Sequence, residues 1–588
     1  MLKRFFVSML GTMAGLWISL FLLFIGGMIA VGVAIGSGSG DSMVKVEKHS
    51  ALYFNLSGEV YDRTQPADFL QLLQQVENDA PTLEDMIRSL ELAADDDKIE
   101  GLYLNCSGAG IGMASREELI EAIARFKESG KWIYAYSDSY SQGDYVIATT
   151  ADCVALNPIG SIDIHGLGGM TPFFKGLLDK IGVKMQIIKV GTYKSAVEPY
   201  ILTSMSEPAR EQMQQYIDSI WSYLAETVSV NRNIPEDSVR AMASQLISTR
   251  EAKTFISDGL ADTLLYKRQS DELLREYCGI RSDEELRLVT PADYLSVKNI
   301  SDFNSAKDHI AVLFAIGEIS DSGKDGIVGP DMVNQIIELA DDEHVRGMVF
   351  RVNSPGGSAF ASEQIWEALE YFKSKDKPLF VSMGDYAASG GYYISCGADS
   401  IFADETTITG SIGVFGMIPD FSGLVTDKLG VNFSAVETNE NAIGLTGFRA
   451  MTPEQHAAMQ KSVEDIYDLF TGRVAAGRGL EQDYVKSIAE GRVWIGTAAL
   501  GLGLVDAIGS LDTTIEALAD ETGLDSKDIV RYPKTESSVW EQLLRQSGGL
   551  DQLKAAGYDI ETMKYIDIVR RMRTANPMQA RIEPIIFE

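Results

Sequence analysis

The body of this chain is written twice, and that limits it to folds that can be made from two like halves. Gly58-Glu59-Val60-Tyr61-Asp62 and Gly317-Glu318-Ile319-Ser320-Asp321 each follow an apolar strand pattern. Gly101 to Asn105 runs into the glycine-rich turn Cys106 to Gly110, and Gly347 to Asn353 runs into Ser354-Pro355-Gly356-Gly357. Tyr145 to Asp152 matches Tyr392 to Asp399, and Gly160-Ser161-Ile162 matches Gly410-Ser411-Ile412. One such match is chance, but an ordered set at nearly constant spacing is a duplication.

Each half alternates short apolar strands with amphipathic helices. In the second half the pattern predicts strands over 309–319, 347–353, 378–383, 400–403 and 431–436. It predicts helices over 330–340, 358–374, 388–398 and from Thr452 to Ala476. Such alternation means crossover connections and a largely parallel sheet, so the fold class is α/β. A charged connector over 265–300, helical from Lys267 to Glu276, joins the halves, and the tail 536–588 ends in the apolar run Pro584 to Phe587. The chain divides into a stub and anchor over 1–45, a first domain over 46–300 and a second over 301–588.

Phe5 to Gly40 has no charged residue, follows Lys3 and Arg4, and is succeeded by Asp41. A spanning helix needs about 20 apolar residues, so this stretch suffices. The flanking charges keep the short amino end in the cytoplasm and export the rest, which predicts a single-pass membrane protein held through residues 5–36. The linker Gly36 to Gly40 argues against a cleaved signal peptide. A formal charge of -33, from 84 acidic and 51 basic residues, excludes nucleic acid as a partner and docking on anionic lipid by a basic face. Cys106, Cys153, Cys278 and Cys396 show no CxxC spacing, so no disulfide is expected. The five histidines are scattered without a zinc motif, so no metal is expected.

Two glycine-rich turns in the second half could hold chemistry. Asn353 to Ser358 sits between a strand and a helix, where converging N–H groups and a helix amino end can make an oxyanion hole. Gly384 to Tyr392 places Ser389 at the start of a helix among small residues. A serine there is ordinarily a helix cap. The duplication argues otherwise. With Tyr145 aligned to Tyr392, Gln142 stands opposite Ser389 while Gly143 still matches Gly390, so one half has lost or never had the hydroxyl. No histidine lies between His344 and His456 to serve as its base. Lys194, in Val190 to Ala196, follows an apolar strand and has small neighbours, with Lys184 and Lys189 as nearby rivals. The matching stretch Leu429 to Gln460 has no lysine. The serine and the lysine are therefore in opposite halves. A lysine can act as base if burial keeps it neutral.

These residues resemble the signal peptide peptidase A family, also called protease IV, in its long bacterial form, over essentially the whole chain. The resemblance implies tandem Clp-protease/crotonase-like domains behind a transmembrane helix in the bacterial inner membrane, and a serine endopeptidase with a Ser/Lys dyad that needs no cofactor. Its substrates would be remnant signal peptides and other exported peptides. On this match Ser389 is the nucleophile, Lys194 the general base and Ser411 the serine that holds the lysine amine. Gly357 and Gly390 would offer oxyanion N–H groups, and the assembly would be a homotetramer. Ser195 next to the base leaves its role against that of Ser411 open. A crotonase-like acyl-transfer enzyme and an inactive membrane scaffold remain as alternatives.

Overall fold

The computed structural model describes residues 45–63, 81–298 and 307–534, and the backbone of 578–581. The expected anchor over 5–36 and most of the tail lie outside the described residues. No described helix is long and apolar enough to cross a membrane.

Each half builds its own sheet. The first has six parallel strands in the order Thr263–Leu264, Cys153–Leu156, Trp132–Ser137, Ile99–Gly110, Ser50–Glu59 and Leu288–Val289. Its central strands are apolar on both faces because helices cover both, as parallel sheets require. Leu102 and Leu104 face the core with helices Leu83–Ala94 and Met113–Glu128, whereas Tyr103 turns toward Leu274 of helix Lys267–Tyr277. The expected connector is thus part of the first domain. The second sheet has eight strands, centred on Leu379–Ala388, Val345–Ser354 and His309–Ile316, and is parallel except where Ile408–Gly410 meets Val493–Ile495. The duplication reaches single hydrogen bonds. The hydroxyl of Tyr145 donates to the carbonyl of Leu260 at 2.8 Å, and that of Tyr392 to Leu504 at 2.8 Å.

Four expected elements differ. The turn over Cys106 to Gly110 is strand, because Ala109 and Gly110 keep pairing with Gly58 and Glu59. The strand over 309–319 breaks at Gly317 into His309–Ile316 and Ile319–Ser320. The strand expected to end at 383 runs to Ala388, held by pairing with Thr409 and Gly410, and the helix beyond it is only Gly390–Ser395. Residues 431–436 form no strand, and Val431, Phe433 and Val436 are exposed. Their counterpart, Lys184–Lys189, is a strand because Phe415–Asp420 of the second half pairs with it antiparallel. Among the described residues nothing pairs with 431–436 in return.

That pairing is one of several ties between the halves among the described residues. Lys184–Lys189 closes a third sheet whose other strands are Ile327–Val328, Ile319–Ser320, Gly356–Ser358, Met578–Arg581 and Phe415–Asp420. A second tie is a helix cap supplied across the junction. Helix Met113–Glu128 has Gly112 at its N-cap and no side-chain cap of its own. Asp385 of the second half accepts the Ser115 N–H at 3.0 Å and the Ser115 hydroxyl at 2.7 Å instead. This satisfies an orphan donor and puts negative charge at the positive helix end. A third tie is Arg351, 1% exposed, which pairs with Glu118 at 2.7 Å and Asp62 at 3.3 Å, both from the first half. It also donates to Ser382 and the Met383 carbonyl. Burial raises the Glu118 and Asp385 carboxyls above their usual range and Asp404 well above it, while the Arg351 guanidinium acts against that shift on all three.

Arg351→Met should therefore lower stability by about 3–5 kcal/mol, since it leaves buried carboxylates without their cation. Urea unfolding checks it: an unchanged midpoint would show that the cluster does not hold the halves together.

Candidate active site

Ser389 stands at the end of strand Leu379–Ala388, where its N–H donates to the Gly410 carbonyl at 2.8 Å. Its backbone sits at φ 57° and ψ -112°, outside the ordinary regions for a residue with a side chain, and it is fully buried. Strain of this kind costs about 1–3 kcal/mol and persists only where the surroundings impose it. The side chain makes no helix-cap bond. Ser141 in the other half does cap its helix, through the Asp144 N–H. Gln142, aligned to Ser389, is locked to the loop beyond it: it donates to the Gly166 carbonyl and accepts the His165 and Gly166 N–H groups.

Ser389 Oγ lies 2.8 Å from Nζ of Lys194. The lysine leaves the turn after strand Lys184–Lys189 and crosses into the second half between two glycines. A Cβ at Gly491 would come within 2.8 Å of the Lys194 Cβ, and one at Gly413 within 3.4 Å of its Cδ. Both glycines make the lysine's channel, and neither was singled out in the sequence for that role. Gly410-Ser411-Ile412-Gly413 placed one of them next to the expected serine. The rivals do not compete, since Lys184 and Lys189 pair as strand residues with Asp420 and Phe415.

The amine is 1% exposed with its residue. Its hydrogen-bond partners among the described residues are Ser389 Oγ, Ser411 Oγ at 3.0 Å and the Ser411 carbonyl at 3.3 Å. No described carboxylate pairs with it, and the Phe415 ring lies 5.9 Å away. Glu198 is turned to the Ser206 N–H and hydroxyl. Desolvation without a compensating anion pushes the Lys194 ammonium down to about 7. No described histidine bonds Ser389. Ser195 accepts from Gln212 at 3.1 Å and is not among the amine's hydrogen-bond partners, whereas Ser411, at φ 48°, is.

Gly357 lies in the short strand Gly356–Ser358 beside Ile319, where a Cβ would come 2.0 Å from the Ile319 carbonyl oxygen. Gly390 opens the helix after Ser389, and its neighbour Gly391 sits so close to Ser354 that a Cβ would fall 2.6 Å from its carbonyl oxygen. The two glycine-rich turns are therefore packed together. Strand Met578–Arg581 runs antiparallel to Gly356–Ser358 and continues the sheet to Phe415 and Gly416, so an extended chain lies beside the glycine turn. Lys194 and Ser411 also line a cavity of about 270 Å³, walled further by Met170, Phe173, Met213 and Tyr216. All four cysteines are free.

The geometry sets a buried serine against a desolvated lysine across a duplicated α/β fold, and the comparisons with known proteins give the class as serine peptidase. The model of peptidase family S49 matches residues 125–278 and 371–525, once in each half, and a Clp protease model matches residues 311–406. The chain belongs to peptidase family S49. It is 36% identical over 503 residues to Protease 4 of Haemophilus influenzae, covering 83% of this chain and 82% of that one. It is 34% identical over 521 residues to Protease 4 of Salmonella typhi, covering 86% and 83%. It is 28% identical over 557 residues to the chloroplastic serine protease SPPA of Arabidopsis thaliana, covering 92% and 79%. The acyl-transfer and inactive-scaffold alternatives give way to a serine peptidase.

Burial of Lys194 also sets a pH dependence of stability. The folded value is about 7 and the unfolded one 10.5, so between them the unfolded chain binds more protons and stability rises with pH. The cost is full below the folded value and gone above the unfolded one. Lys194→Met should melt higher than the parent protein at about pH 6, and the gap should shrink toward about pH 10. Melting curves across that range check it; a gap that does not change with pH would mean the lysine stays charged.

Proposed function

We propose that this chain is a membrane-anchored endopeptidase with a Ser389/Lys194 dyad, degrading remnant signal peptides and other exported peptides outside the cytoplasm. The observation that carries this reading is the 2.8 Å approach of Lys194 Nζ to Ser389 Oγ with no described carboxylate at the amine. In the reaction the Ser389 hydroxyl donates its proton to the neutral amine as the oxygen attacks the peptide carbonyl carbon. Backbone N–H groups of Gly357 and Gly390 take the developing oxyanion. The Lys194 ammonium then gives its proton to the leaving amine. In the second step a water loses a proton to the same amine and attacks the acyl carbon, and the ammonium returns that proton to Ser389 Oγ as the ester bond breaks. Ser411 keeps the amine aimed while adding no negative charge that would hold its proton.

The extended segment Met578–Arg581 against Gly356–Ser358 supports a peptide substrate, because a substrate main chain could pair in the same place by strand addition. The apolar wall of the adjoining cavity suits the side chains of a signal peptide. Anchoring through residues 5–36 rests on the uncharged stretch Phe5 to Gly40. Assembly into a homotetramer would give a partner to the exposed Leu429, Val431, Phe433 and Phe448.

Ser389→Ala and Lys194→Ala should each abolish peptide hydrolysis, while Ser141→Ala and Gln142→Ala keep it. For the parent enzyme, kcat/KM on a small peptide should rise along one limb with a midpoint near about 7. Hydrolysis that survives Lys194→Ala, or depends on Ser141, would overturn the assignment.

A further inference from the structure

The turn that presents Lys194 has little regular structure of its own. Tyr193 N–H donates to the Glu490 carbonyl at 3.0 Å, and Thr192 N–H reaches the Glu490 carboxylate at 3.4 Å. The stronger hold comes from Arg492, the residue just before strand Val493–Ile495. Its guanidinium lies between two rings, 4.6 Å from the centre of Tyr193 and 4.5 Å from that of Trp494. It donates to the Tyr193 hydroxyl at 3.2 Å, and to Glu211 at 3.0 Å and Gln215 at 2.9 Å on helix Glu207–Arg232. Its own carbonyl accepts the Ser411 N–H at 2.7 Å. One residue therefore grips the neighbour of Lys194 with its side chain and the amine's orienting serine with its backbone.

Gln212 repeats the link from the other side. Its amide donates to the Tyr193 carbonyl at 3.3 Å and the Ser195 hydroxyl at 3.1 Å, and accepts the Val493 N–H at 3.2 Å. The residues before and after the lysine are thus tied to the strand that pairs with Ile408–Gly410, directly ahead of Ser411.

We propose that Arg492 is a positioning residue for the base, clamping the Tyr193–Lys194 turn of one half to the Ser411 strand of the other so that Nζ stays between Ser411 and Ser389. The proposal rests on the dyad reading. The planar guanidinium is what the geometry needs, because it stacks on both rings while its nitrogens serve three acceptors; an ammonium can do one or the other. A shift of about 1 Å at a reacting atom costs on the order of 100-fold in rate. The charged groups facing this turn are Glu490 from below, Glu211 and Arg492 beside it, and Glu198 beyond Ser195, and none of these carboxylates bonds Lys194 among the described residues.

The test compares Arg492→Lys, Arg492→Met and Tyr193→Leu in the full chain. Each is read for kcat, KM, the pH limb, melting temperature and the fraction of sites titrated by a fluorophosphonate. All three should lower kcat at neutral pH by about 10- to 100-fold with KM within about threefold. The limb should move to higher pH as the amine loses its confinement, and Arg492→Lys should not rescue it. Loss of rate only in proportion to titratable sites, with the limb unmoved, would make Arg492 merely structural. Full activity in Arg492→Lys would make it a charge effect. Either result overturns the proposal. Tyr193→Leu decides the matter if the Arg492 variants do not fold. Activity surviving Lys194→Ala would instead overturn the dyad itself, so the two failures are distinguishable.

Discussion

A lysine amine with no anion beside it has to be taken out of water, and in this molecule only the opposite half of the chain can do that. Lys194 starts in the first half, passes between Gly413 and Gly491, and ends against Ser389, Ser411 and Phe415 of the second. Had a carboxylate followed it in, the ion pair would have held the proton and the amine would be useless as a base. Hydroxyls orient it at lower electrostatic cost. The burial that lowers the affinity of the amine for its proton is thus the same burial that joins the domains.

The junction has to be rigid for this to work, and it is built from groups that are expensive to move. Asp385 caps a helix of the other half and lies on the strand that ends at Ser389. Arg351 is buried against Asp62 and Glu118 and bonds the same strand through Ser382. Breaking any of these would strand a charge in a dry place. The strained backbone at Ser389 and the positive φ of Ser411 are held by the same surroundings. Duplication made such a site possible: each half kept the strands and helices, and each could lose the group that the other retained. Gln142, opposite Ser389, instead uses its amide for backbone hydrogen bonds to the loop beyond it.

Much of this was legible in the sequence because the duplication supplied an internal comparison. Ser389 and Lys194 were separable from ordinary cap serines and surface lysines by asymmetry between the halves, whereas Ser411, opposite Ser161, was pointed to by the family resemblance alone; the fold brings all three together. What escaped were relations between distant segments. Residues 431–436 have the composition of a strand but no described partner, whereas the charged ends of Lys184–Lys189 did not prevent a strand that Phe415–Asp420 could complete. The Asp385 cap joins residues 270 apart, and Gly491 matters only because Lys194 passes it. Local pattern is silent on such contacts, since they depend on which surfaces the tertiary fold brings face to face. Arg492 was hidden for the same reason: its partners Tyr193, Glu211 and Gln215 lie in the opposite half.

The measurement that goes straight to the central claim is an NMR titration of Lys194 itself, with the ε-carbon of lysine labelled and the resonance assigned by its absence from Lys194→Met. The ε-carbon shift reports protonation of the attached amine without requiring turnover. A midpoint near about 7, well below the 10.5 of an ordinary lysine, is the expected result. A midpoint at the ordinary value would mean that the amine is charged under working conditions, and Lys194 could not then be the base for Ser389.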